Sequence, residues 1–114
     1  MVNVIEFLHA NNIVHRDIKL TNMLMTTNNK VQLIDFGFSK KLHDGEIMKD
    51  FCGTPNYISP EIVNRQNYYP KAADIWALGV VLYKLFTGKL PFECRTILNT
   101  LYNFLEKSTS DMYK

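Results

Sequence analysis

The chain has 114 residues, of which 46% are apolar and 21% charged, with a formal net charge of +2. That suffices for one globular domain with one core. A charge this small gives no basis for nucleic acid or an acidic membrane surface as partner, and no like-charge block, low-complexity tract or internal repeat appears.

The first twelve residues carry no basic region and include Glu6, so they do not read as a signal peptide. Apolar groups at 2, 4, 5, 7 and 8 predict a helix over Val2–Ala10, ended by Asn11-Asn12. Ile13 and Val14 lead into a polar loop, His15 to Asn22. Two short apolar runs, Met23–Met25 and Val31–Ile34, flank Thr-Thr-Asn-Asn-Lys and predict a β-hairpin. From Asp35 to Tyr57 a mostly polar segment shows no sustained period, and a loop of that length in a compact domain is either functional or hides an element of secondary structure.

Ser59-Pro60-Glu61 has the form of a helix start, with a capping serine and proline at the first helical position, and the helix is expected to end near Asn64. Lys71 to Thr87 gives the strongest helix pattern, with Ile75, Leu78, Val81, Leu82, Leu85 and Phe86 at helical spacing and Gly88 as stop. These residues and Trp76 are expected in the core. The longest apolar run, Ile75 to Phe86, contains Lys84 and falls short of the ~20 residues that span a bilayer. A last amphipathic helix is expected over 95–106, with a frayed tail over 107–114. Cys52 and Cys94 show neither metal spacing nor a disulfide framework, and are expected to be passive thiols in a cytoplasmic or nuclear protein.

The chemistry gathers in the loop His15-Arg16-Asp17-Ile18-Lys19-Leu20-Thr21-Asn22 and in Asp35-Phe36-Gly37 after the hairpin. A hairpin returns the chain to its start, so Asp35 comes back beside the loop. Asn22 and Asp35 then offer two oxygens to a hard cation, and Mg2+ suits such a site because it keeps water and phosphate ligands. Lys19 brings a positive charge for a phosphoryl group. Asp17 is placed to orient a hydroxyl nucleophile. Phosphoryl transfer asks for little more than this positioning and charge neutralisation.

These residues resemble the catalytic loop and Asp-Phe-Gly motif of protein kinases. Gly53-Thr54-Pro55-Asn56-Tyr57-Ile58-Ser59-Pro60-Glu61 is similar to the end of that family's activation segment, with Ser59 where alanine is usual, a harmless variant. Asp74-Ile75-Trp76-Ala77-Leu78-Gly79 resembles the start of its long central helix. Four fixed loop residues at roughly one in twenty each make a chance match about 1 in 10⁵ per start. Leu20 and residues 56–62 look like Polo-type kinases, and are close to AMP-activated and calmodulin-dependent kinases.

The resemblance implies a protein-kinase-like α+β fold. Residues 1–106 are expected to hold a partial domain, mainly α, with catalytic loop 15–22, activation segment 35–61 and central helix 71–87. It implies ATP- and Mg2+-dependent phosphoryl transfer to serine or threonine of protein substrates, with a non-catalytic binding or regulatory module as the alternative. Asp17 takes the part of catalytic base, Lys19 that of phosphate contact, and Asn22 and Asp35 that of Mg2+ ligands. Thr54 is expected to bond near Asp17 and Lys19, and the Lys19 and Gly53-Thr54 pattern implies serine/threonine specificity. Phe38 implies serine over threonine. Arg16 is the family's dock for a phosphorylated activation-loop residue, and Asp50 stands at the usual phospho-acceptor position. Asp50 either pairs with Arg16 without phosphorylation or is a solvated loop charge.

Glu61 resembles an acid whose arginine partner lies later in the family, outside this chain, so it is expected to be strained, solvated or repaired otherwise. His15 is expected to pack under the loop, His9 and His43 to lie at the surface, and Tyr68-Tyr69-Pro70 to be an ordinary connection. No Gly-rich loop, strand lysine or helix glutamate of a kinase N-terminal lobe is present in these residues, and apolar faces are expected where such elements would pack. Residues 1–114 alone are therefore expected to show no measurable ATP turnover. Phosphorylation of a generic substrate by the purified chain would overturn this.

Overall fold

The computed structural model describes residues 2–92. Helix α1 spans Val2–Ala10 and buries Ile5 and Leu8. Asn12 ends it in the left-handed region at φ 57°, donating its N–H to His9 O at 3.0 Å. Asparagine tolerates that conformation better than most residues, and it closes the last carbonyls.

Strand β1 (Ile13–Val14) follows directly. A short 3₁₀ turn, Leu20–Asn22, leads into β2 (Met23–Met25), which pairs antiparallel with β3 (Val31–Leu33) in the register Met23–Leu33, Leu24–Gln32, Met25–Val31. Asn29 turns the hairpin at φ 59°, and Lys30 N–H donates to Thr26 Oγ1 at 3.1 Å. Strand β4 (Lys40–Lys41) then returns to β1, with Ile13 opposite Lys41 and Val14 opposite Lys40. This second ladder breaks the expectation of an unstructured segment from 35 to 57. Two-residue strands carry no readable alternation, so only the pairing reveals them.

Helix α2 (Pro60–Val63) begins at Ser59 as expected, but no side-chain cap bond forms there. The Ser59 side chain is 1% exposed, and its Oγ has no hydrogen-bond partner among the described residues. The expected cap is therefore absent, because the hydroxyl points into the interior instead of to the helix amides. Helix α3 spans Pro70–Thr87, one residue earlier than expected, with proline at its first turn. Gly88 caps it at φ 76°, its N–H reaching Lys84 O at 2.8 Å. No described helix is long and apolar enough to cross a membrane.

Two apolar clusters hold these elements. The first joins Ile5 and Leu8 of α1 to Ile18, Leu33, Tyr57 and the Ala77, Leu78, Val80, Val81 face of α3. The second joins Val14, Leu42, Met48, Ile58, Ile62, Val63 and Tyr68. Trp76 is half-buried, packs against both and stacks on Phe92 at 5.8 Å. Ile75, Leu85 and Phe86, expected in the core, are exposed instead, Phe86 at 87%. Helix α3 is apolar on more than one face, and these clusters bury 77, 78, 80 and 81 and partly cover Ala73, Trp76 and Leu82. Gly79 is exposed too, and a Cβ there would meet nothing within 4 Å. The expected helix over 95–106, the tail and Cys94 lie outside the described residues.

Ile18, between α1 and α3, is 1% exposed. Truncation by Ile18→Ala is expected to destabilise the protein by about 2–5 kcal/mol, read as a lower urea midpoint at unchanged slope. Lys30→Ala, in the exposed hairpin turn, should stay within about 0.5 kcal/mol.

Candidate active site

The loop that follows β1 is suspended from one carboxylate. Asp74, on the buried face of α3 at 1% exposure, accepts from His15 N–H at 3.0 Å on Oδ2 and from Arg16 N–H at 2.9 Å on Oδ1. His9 Nε2 adds a third contact to Oδ2 at 2.9 Å. A buried carboxylate without partners costs several kcal/mol, and three donors meet that demand. His9 is thus not the surface residue expected. Its spacing from Ile5 and Leu8 puts it on the apolar face of α1, and that spacing was the available signal.

His15 is fully buried beneath the loop, as expected. Its Nδ1 accepts from Asp17 N–H at 3.1 Å, and its Nε2–H donates to Ile34 O at 2.9 Å. The Phe36 ring meets its edge at 4.8 Å, while Phe36 itself stays 43% exposed. One imidazole therefore spans the catalytic loop and the residue before Asp35. Arg16 adopts φ 69°, a strained conformation for a side chain of this size. The Asp74 bond to its N–H and the Phe38 O bond to its Nε, at 2.7 Å, hold it there.

Asp17 is 8% exposed. Thr54 Oγ1–H donates to Asp17 Oδ1 at 2.8 Å, and Lys19 Nζ donates to the same Thr54 oxygen at 3.0 Å. Lys19 Nζ lies 3.8 Å from Asp17 Oδ2. One hydroxyl thus bridges acid and lysine. Gly53 makes this approach possible: at φ 116° a Cβ would lie 2.7 Å from Ile58 Cγ2, so only glycine fits.

Asn22 is buried, and its Nδ2 donates to Asp17 O at 2.8 Å. Its own carbonyl accepts from Ile34 N–H at 2.9 Å, which fixes the end of β3 beside the loop and delivers Asp35 next to it. Asp35 is exposed, at φ 58°, with Oδ1 3.3 Å from Gly37 N. Asn22 Nδ2 also lies 3.4 Å from Asp17 Oδ2. An amide oxygen and an exposed carboxylate are a donor set that fits Mg2+, which takes few protein oxygens.

Arg16 Nη1 reaches Asp50 Oδ2 at 2.6 Å, with the two side chains 13% and 51% exposed. Burial alone would lower the Arg16 pKa, but the Asp50 carboxylate and other negative charge nearby leave it raised. Burial likewise pushes Asp50 up, and the Arg16 guanidinium more than reverses this, leaving it below its ordinary value. Both directions favour the charged pair. Burial pushes the Cys52 thiol up, which keeps it protonated and poorly nucleophilic. Glu61 is exposed and solvated, one of the three outcomes expected for it, and His43 is exposed as expected. Tyr68, read as part of an ordinary connection, is 4% exposed and bonds Asp50 O at 2.9 Å.

The sequence matches the family described as "Protein kinase domain" over residues 1–113. It is 51% identical over 93 residues to "Developmentally-regulated protein kinase 1" of Dictyostelium discoideum, covering 82% of this chain and 13% of that protein. It is 44% identical over 100 residues to "Probable serine/threonine-protein kinase PLK" of the same organism, covering 88% of this chain and 10% of the relative. To "SNF1-related protein kinase catalytic subunit alpha KIN12" of Arabidopsis thaliana it is 41% identical over 113 residues, 99% of this chain and 22% of the relative. The chain spans 10% to 22% of the length of these curated relatives. On a match that runs through nearly the whole sequence, the chain belongs to the protein kinase domain family.

Proposed function

We propose that this chain carries the phosphoryl-transfer residues of a serine/threonine protein kinase that uses ATP and Mg2+. The observation that carries this reading is the Thr54 hydroxyl bridging Asp17 at 2.8 Å and Lys19 at 3.0 Å. It holds an acceptor and a cation side by side at a site whose other groups, Asn22 and Asp35, suit a hard metal. Asp17 accepts the proton of a serine or threonine hydroxyl on a protein substrate. The hydroxyl oxygen forms its bond to the γ-phosphorus of ATP as the bond to the β-bridging oxygen breaks. Lys19 sets its charge against the transferring group. Asn22 and Asp35 would hold Mg2+, which when bound neutralises phosphate charge.

Asp17→Asn keeps shape and removes the proton acceptor. In the full-length protein it is expected to lower kcat by at least about 10²-fold with an unchanged thermal midpoint. Retention of most activity would overturn Asp17 as the proton acceptor, whereas a full-length wild-type protein with no phosphoryl transfer would favour the non-catalytic module.

We further propose that Asp50 orders the activation segment on Arg16 without phosphorylation. A half-exposed pair is worth up to about 1 kcal/mol, about a fivefold bias between two loop states. Asp50→Ala is therefore expected to lower kcat about fivefold. The Asp50 pKa is depressed in the folded state, so its contribution is present above the unfolded value of about 3.9 and lost only as pH falls through the folded one. The ratio of wild-type to Asp50→Ala activity should thus stay flat between about pH 6 and 9. A phosphate, with its second pKa of about 6, would not give that profile.

A further inference from the structure

Tyr68 belongs to the second apolar cluster, and nothing in its sequence context marks it out. Its main chain forms an antiparallel bridge with Met48, through Met48 N–H to Tyr68 O at 2.9 Å and Tyr68 N–H to Met48 O at 3.0 Å. Its hydroxyl donates to Asp50 O at 2.9 Å and lies 3.4 Å from Asp50 Oδ1. From the other side, Arg16 Nη1 meets Met48 Sδ at 3.7 Å and Asp50 Oδ2 at 2.6 Å. Residues 48 and 50 are each held by Tyr68 and each touched by Arg16.

A phenol has one hydrogen to donate. Here it goes by the shorter contact to the main-chain carbonyl of Asp50, so it fixes the backbone from which the carboxylate projects. Burial, and then the negative charge of its neighbours, holds the phenol well above its ordinary value, so it stays a donor at every physiological pH. Asp50 is half-exposed and follows Lys49, itself exposed. An exposed carboxylate on an unrestrained loop would spend its conformational freedom to meet Arg16. With its carbonyl tied down, most of that cost is met in advance.

We propose that Tyr68 is a positioning residue that aims Asp50 at Arg16 and so docks the activation segment on the catalytic loop. This rests on the reading of Asp50 above. A tyrosine that only filled the core would be replaced by phenylalanine without loss of activity, since the ring and the Met48 bridge would remain.

The test is a double-mutant cycle in the full-length protein. Steady-state kcat, KM for ATP and thermal midpoint are measured for wild type, Tyr68→Phe, Asp50→Ala and the double variant. Tyr68→Phe is expected to lower kcat roughly two- to fivefold, no further than Asp50→Ala does, at unchanged KM for ATP. The double variant is expected to be no slower than Asp50→Ala, because no carboxylate remains to be aimed. Multiplying effects would show that Tyr68 acts by another route and would overturn the inference. Unchanged kcat in Tyr68→Phe beside an impaired Asp50→Ala overturns it as well, and leaves the Asp50 reading standing. A silent Asp50→Ala sinks the Asp50 reading and the route through it. Asp50→Asn, which removes charge and keeps shape, replaces Asp50→Ala in the cycle if the latter does not fold.

Discussion

The buried carboxylate of Asp74 is the point on which the site hangs. It sits on the core stripe of α3, since 74, 77, 78 and 81 share one helical face and all four are buried. An apolar residue there would suit the helix better. The carboxylate instead takes the main-chain N–H groups of His15 and Arg16 and a nitrogen of His9. It ties α1, the start of the catalytic loop and α3 together in one contact set. It also holds Arg16 in a backbone conformation the residue would not adopt alone. Removal of one donor would leave the buried charge less well met, which couples the three contacts.

From that anchor the segment carrying Asp50 and Thr54 is fastened at two neighbouring residues of the loop after β1. Arg16 receives Asp50 and Asp17 receives Thr54. The first tie is half-exposed and weak, and the second is more enclosed and cooperates with Lys19. Gly53 lies between the two ties, at φ 116°, where the Cβ it lacks would come 2.7 Å from Ile58 Cγ2. His15 does the equivalent service on the other flank, bonding Ile34 O beside Asp35.

The elements with long periodic patterns were readable in advance. Helix α3 has seventeen to eighteen residues of apolar spacing with a proline and a glycine at its ends, and the structure places it over Pro70–Thr87. The hairpin around Asn29 and the end of α1 at Asn12 follow from turn chemistry. The site's composition was legible because His15–Asn22 and Asp35–Gly37 are contiguous runs. What escaped were interactions between single residues far apart in sequence: His9 with Asp74, Tyr68 with Asp50, β1 with β4. A lone histidine or tyrosine has no pattern, and a two-residue strand has no period. The apolar stripe of α3 also overstated the core, because periodicity shows which residues share a face without showing what covers it.

Ser59 carries a different consequence. Its hydroxyl lines a small cavity beneath the catalytic loop, bounded also by Arg16, Asp17 and Asp74, with no bond among the described residues. A buried hydroxyl costs about 1–3 kcal/mol only where nothing meets it, and the Arg16, Asp17 and Asp74 residues around the same cavity are polar partners that a buried water would bridge to Ser59.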